Sequence, residues 1–204
     1  TLQGSEPQAL ERFGSTLGEC STALDALNGS LVTHMQIDDE PVWRFKHPTM
    51  GDAYAATLAF SPDLLGIFLS GSSTENLTSQ VTCGNVGVEK AVVVPKSLFP
   101  VMIARLREFS ASNKYKVQWI SSWGAKRTLY RFLAGRCSKE FLALYLEQDP
   151  DILSRVSEPS PDLSFSPEVD LAVRLHGFGL LPEENRKRFI EAVSNYALEG
   201  EDVH

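Results

Sequence analysis

The chain has 204 residues, 43% of them hydrophobic and 22% charged, with a formal net charge of −7 at pH 7. This is the composition of an ordinary folded domain, long enough for one large or two small apolar cores. No apolar run approaches the ~20 residues that span a bilayer; the longest, such as Leu64 to Leu69, has the length of a core helix.

Thr1 to Ala9 carries neither a basic segment nor an apolar stretch of the kind that makes a signal peptide. The chain opens at Thr1 without an initiator Met, and we read it as a piece of a longer polypeptide. Cys20, Cys83 and Cys137 form an odd, widely spaced set, which is neither a disulfide framework nor a zinc pattern. Reduced thiols in a cytoplasmic protein are the expectation. Asn28-Gly29-Ser30 and Asn76-Leu77-Thr78 match the glycosylation sequon, but nothing else points to secretion.

The net charge hides an asymmetry. Residues 1–88 carry three basic and ten acidic side chains, residues 89–140 eleven and three, and residues 141–204 five and thirteen. The middle block is therefore +8 between blocks of −7 and −8. Either it docks against its own acidic neighbours or it offers a basic face to an anionic partner.

In chain order, Glu6 to Leu27 reads as a helix, with Leu10, Phe13, Leu17, Cys20, Leu24 and Leu27 at helical spacing and Asn28-Gly29 ending it. Leu31 to Met35 and Val42 to Phe45 are short β-like runs joined by Asp38-Asp39-Glu40-Pro41, which is turn chemistry. A helix followed by a hairpin is the second half of a winged helix. From Pro48 onward the chain reads as helical. Ser61-Pro62-Asp63, Asp149-Pro150-Asp151 and Ser166-Pro167-Glu168 share one helix-start device: a capping residue, a proline and an acid. Leu181-Pro182-Glu183-Glu184 keeps the proline and the acids.

Helices are expected near 74–82, 97–111, 126–135, 138–148, 167–176 and 183–198. Val92-Val93-Val94 ends a short extended crossing, and Ser157 to Ser166 reads as a loop. Leu58 to Leu65 loosely echoes Leu146 to Leu153, a hint of repeated helical pairs. The expected fold is thus mainly α: a partial winged helix with a β-hairpin over residues 1–60, then a helical, repeat-like region over 61–204. A sub-boundary is expected near 84–95.

Catalytic motifs are absent from the sequence: there is no P-loop, no Gly-x-Ser-x-Gly elbow and no His-Glu-x-x-His. His34, His47, His176 and His204 are scattered. We expect no enzymatic activity, no metal site and no cofactor of this chain's own. The sharpest feature is Phe45-Lys46-His47-Pro48-Thr49-Met50-Gly51-Asp52, which places an imidazole at a strand-to-helix junction beside unpaired backbone N–H groups. His47 reads either as a capping and packing residue or as a donor to an anion; spacing alone favours the cap.

The second feature mixes bases with aromatics, with Lys114, Lys116, Lys126, Arg127 and Arg131 among Tyr115, Trp119, Trp123 and Tyr130. It reads either as an anion-binding patch for nucleic acid or, with preference, as a helix pair whose aromatics form a buried stripe and whose cations face water.

From Phe45 to Ala56 the chain resembles STAND-class signalling NTPases, the P-loop ATPases that include NOD-like receptors and bacterial defence proteins. Phe45, His47, Thr49, Asp52 and Tyr54 follow the order of the end of their winged-helix domain. Softer likeness extends to Ser61 to Leu65 and to Gly179 to Glu184. The resemblance implies that His47 reaches the β-phosphate of ADP and holds a closed state, as a sensor and not a catalyst. It also implies an upstream NTPase domain of the same polypeptide as partner, ADP or ATP with magnesium bound there, and a protein trigger or homo-oligomer. The P-loop and Walker B acid of that class are not in these 204 residues. The functional expectation is a non-catalytic relay region that couples nucleotide state to partner sensing or oligomerisation in antiviral defence. The alternative is a stand-alone winged-helix or basic-patch module that binds nucleic acid.

Overall fold

The computed structural model describes residues 14–37, 40–111, 119–160 and 166–201. The protein is mainly helical, with a small antiparallel hairpin followed by many helices. The helix expected over 6–27 is not continuous: α1 (Leu17–Leu27) starts only at Leu17, because Gly14 has left-handed φ (72°) and Thr16 is extended. Thr16 opens it with a reciprocal cap: its Oγ1 accepts from the Glu19 amide at 3.2 Å, and the Glu19 carboxylate accepts from the Thr16 amide at 2.8 Å. β1 (Val32–Ile37) and β2 (Glu40–Phe45) pair antiparallel, with Val32 opposite Phe45 and His34 opposite Trp43. Helix then hairpin is the order expected of a partial winged helix.

Three helices follow the hairpin: α2 (Pro48–Phe60), α3 (Pro62–Gly71) and α4 (Thr74–Gln80). Each begins on a side-chain cap, from His47, Ser61 and Ser73 respectively. Proline is the first residue of α2 and α3, where its missing N–H costs nothing. A chain of rings hitches the hairpin to these helices. Phe45 lies 5.7 Å from Tyr54, and Tyr54 meets Phe68 edge-on at 6.3 Å.

The segment 74–82 is not one helix. α4 stops at Gln80, and Val81 to Cys83 form β3, paired parallel with β4 (Val92–Val94). All three β3 residues are buried. β-branched Val81 and Thr82 fit a strand better than a helix end, and the buried pairing decides between the two. Residues 84–91 connect parallel strands with fewer than the dozen or so residues such crossovers commonly use. The backbone turns sharply there, with left-handed φ at Gly84 (83°), Gly87 (75°) and Lys90 (58°).

A 3₁₀ turn over Lys96–Leu98 leads into α5 (Phe99–Ala111). α6 (Trp119–Arg136) is longer than the expected 126–135. α7 (Lys139–Gln148), α8 (Asp151–Ser157), α9 (Pro167–Gly177) and α10 (Glu183–Glu201) complete the described elements. Ser138 caps α7 through the Phe141 amide at 3.3 Å. The Ser166 hydroxyl donates to Glu168 and does not cap α9, and the junction at Asp149-Pro150 departs from the shared start device as well: Asp149 pairs with Arg155 at 2.7 Å, and no side chain caps α8. It is still a helix-to-helix turn, as its echo at Ser61-Pro62 is, but Leu64 is exposed where the corresponding Ile152 is buried.

One buried cluster takes residues from α2 through α9, including Leu58, Leu69, Leu77, Val81, Ile103, Phe132, Phe141, Tyr145, Val156 and Leu175. It has members on both sides of residues 84–91. Phe99 meets Phe141 edge-on at 5.1 Å within it.

Gly84 packs closely against Ser138. A Cβ there would lie 2.7 Å from Ser138 Oγ and 2.8 Å from Ser138 Cβ, on a backbone that L side chains rarely adopt. Gly84→Ala should therefore lower stability in urea unfolding by about 2–4 kcal/mol, clash and strain together. Adding Ser138→Gly, which removes the clash at small capping cost, should restore part of the loss. A Gly84→Ala protein that unfolds at the parental midpoint would contradict this packing.

Candidate functional site

The strand-to-helix junction carries the residues singled out in sequence. β2 ends at Phe45, and Lys46 ties the junction back toward α1: its amide donates to the Leu31 carbonyl at 3.0 Å, and its ammonium donates to the Gly29 carbonyl. His47 has extended backbone (φ −130°, ψ 139°) and caps α2. Its Nδ1 lies 2.8 Å from Thr49 Oγ1 and 3.4 Å from the Thr49 amide nitrogen.

A backbone amide can only donate, so Nδ1 is the accepting nitrogen and the hydrogen of the neutral ring sits on Nε2. His47 and Thr49 are both exposed. The capping role weighed for His47 is thus present, and it leaves an N–H donor on the other side of the ring. Phe45 and Tyr54 are brought together by the ring contact already described. Burial raises the Tyr54 phenol above its ordinary value. The side chain of Asp52 lies outside the described residues.

Beside this junction lies a cleft of about 580 Å³, within the usual range of small-molecule sites. Phe45, Tyr54 and Phe68 make its aromatic wall. Lys90, Glu89 and Arg136 bring charge to it from the β3–β4 crossover and the end of α6. Arg136 is held by a 3.3 Å hydrogen bond to the Val81 carbonyl. His47 does not line this cleft. Sequence reading missed Lys90, Arg136 and Phe68, since they are far apart in the chain and lysine carries no signal for left-handed backbone.

The basic segment divides. Lys114 and Lys116 lie outside the described residues. Lys126 forms an ion pair with Glu168 of α9 and also lies over the Tyr130 ring, 5.6 Å from its centroid. Arg131 is exposed on α6, next to a shallow groove it shares with Asp170 and Arg174. Arg127 is half-buried on the same helix. Tyr130 and Phe132 are buried in the core, and burial pushes the Tyr130 phenol up to about 12. This much of the segment follows the preferred reading of a buried aromatic stripe; the side chains of Trp119 and Trp123 lie outside the described residues.

Among the described residues, no group of three or more His, Cys, Asp or Glu side chains is placed to hold a metal ion. Nor is any single helix among them long and apolar enough to cross a membrane. No family model, curated protein or solved structure matches the chain.

The Lys126–Glu168 pair joins the basic middle of the chain to its acidic end. The Glu168 side chain is 3% exposed, against 43% for Lys126. Burial pushes the Glu168 carboxyl up, but Lys126, the Ser166 hydroxyl donating at 2.6 Å, and its own amide together hold it below the ordinary value near 4.5. A carboxyl with a depressed folded pKa stabilises the fold above its unfolded pKa, and that stability is lost as pH falls through the folded value.

Glu168→Gln should cost about 1–3 kcal/mol at neutral pH and flatten the decline in stability below about pH 4.5. Lys126→Met, which strands a buried carboxylate, should cost about 2–3 kcal/mol, while Lys126→Arg should stay close to the parent. Denaturant titrations from pH 3 to 7 read both effects; parallel pH profiles for the parent and Glu168→Gln would contradict the assignment.

Proposed function

We propose that this chain is a non-catalytic relay region of a STAND-class signalling NTPase, coupling nucleotide state to partner sensing or oligomerisation in antiviral defence. The observation that carries the reading is the His47 junction. A hairpin delivers Phe45 to the ring of Tyr54, and between them an exposed histidine caps a helix while keeping an Nε2–H donor. A residue that must hold a phosphate oxygen of a nucleotide bound by another domain needs such an exposed, rotationally fixed donor. Pro48 removes one backbone donor from the same helix start, so the imidazole and not an amide cradle supplies the contact.

Nucleotide and magnesium belong to the upstream NTPase domain in this reading. The nucleotide supplies the phosphate charge that His47 senses; Thr49 fixes the ring, and the Phe45–Tyr54 contact fixes the strand that carries it. A partner surface is available in α1 and the hairpin, where Leu17, Leu27, Leu31 and Met35 are exposed. The nucleic-acid alternative finds less support, because Lys126 of its basic segment is already paired with Glu168.

The test uses the native full-length product purified from its source cells. His47→Ala should lower ADP retention about tenfold, the worth of one charge-assisted hydrogen bond, and shift the protein toward larger assemblies in native mass measurements. Nucleotide content equal to the parent's, with the same oligomer distribution, would sink the sensor role.

A further inference from the structure

We propose that the cleft between α2 and the β3–β4 crossover is a binding site for a small molecule with a flat apolar body and one anionic group. The inference stands on the cleft itself and does not need the relay reading.

Three rings face the space. Phe45 and Tyr54 remain 47% and 44% exposed although each is packed against another ring. Aromatic faces held rigid by their neighbours and still accessible form a stacking wall, which a planar ligand covers at small entropic cost. Among the described residues, two cations, Lys90 and Arg136, and one carboxylate, Glu89, line the cleft, so the described charge there is net positive.

Lys90 is the telling residue. Its backbone is left-handed, with φ at 58°. Glycine adopts this conformation freely and lysine does so only at a cost. Gly84 and Gly87 meet the same demand in the same crossover as glycines. The lysine at this position puts a cationic residue in the lining of the cleft, and backbone outliers of this kind concentrate at ligand sites. Arg136 adds a second donor whose direction is set by its bond to the Val81 carbonyl. Rings and cations lining one cleft select an aromatic acid, sulfonate or phosphate over a neutral compound of the same shape.

The probe pair 8-anilinonaphthalene-1-sulfonate and N-phenyl-1-naphthylamine has one aromatic body, with and without the anion. Fluorescence titration of the 204-residue chain should show one saturable site, with the sulfonate about tenfold tighter than the neutral probe. Lys90→Gly relaxes the backbone, so it should keep or raise the melting temperature while reducing that preference severalfold. Tyr54→Ala should weaken both probes. Equal affinity for the two probes, or sulfonate binding unchanged in Lys90→Gly, would overturn the proposal.

Discussion

A three-residue strand organises this fold. Val81 to Cys83 are fully enclosed, and a buried strand must place every backbone N–H and C=O on a partner. β4 takes one edge. On the other edge the Cys83 carbonyl accepts from the Ser138 amide at 2.8 Å, where α6 hands over to α7, and Arg136 reaches the Val81 carbonyl. Four helices are thereby fixed to one short segment: α4 runs into it, α5 follows its partner, and α6 and α7 meet at its edge. The absent side chain of Gly84 lets the α6–α7 junction approach this closely.

The same constraint builds the cleft. Because β3 and β4 are parallel and close in sequence, the chain between them must turn back on itself within residues 84–91. That need for left-handed backbone is what sets Lys90 at its unusual φ and brings Glu89 and Lys90 to the edge of α2. Arg136 stands in the cleft for a related reason, since its anchor is the carbonyl of the first strand residue. The cleft's charge thus comes from the way the core satisfies its backbone, whereas its rings come from the hairpin and its two following helices.

How much of this was legible in sequence varies with the range of the interaction. Helix starts are local: His47, Ser61 and Ser73 accept from amides a few residues ahead, and proline after His47 and Ser61 marks the first helical position. The hairpin was readable because alternation and turn residues are local as well. β3 was not, since the β-branched Val81 and Thr82 favour a strand too weakly to decide it alone; Val92 to Val94 and Ser138 make the difference from a distance. The cleft was invisible for the same reason. The junction residue His47 was readable in two ways, and its capping bond turns out to be compatible with an outward donor.

The charge pattern is tied together at one point, where the basic middle of the chain meets its acidic end. Glu168 is nearly sealed from water, so an unpaired carboxylate there would carry a large desolvation cost. Lys126 offsets it, and the same ammonium lies over the Tyr130 ring. One cation of the middle block is in this way committed to the acidic end of the chain. The two cations at the cleft are in a different position, because they share their space with Phe45 and Tyr54, the rings that flank His47. A ligand bound against those rings would act on the same strand end and helix start that hold the histidine. Where two sites couple through shared elements, the coupling is reciprocal and is set by the differential contacts each ligand makes. If both proposals hold, occupancy of the cleft and the orientation of His47 are linked through α2 and the end of β2, which gives a relay region an input of its own.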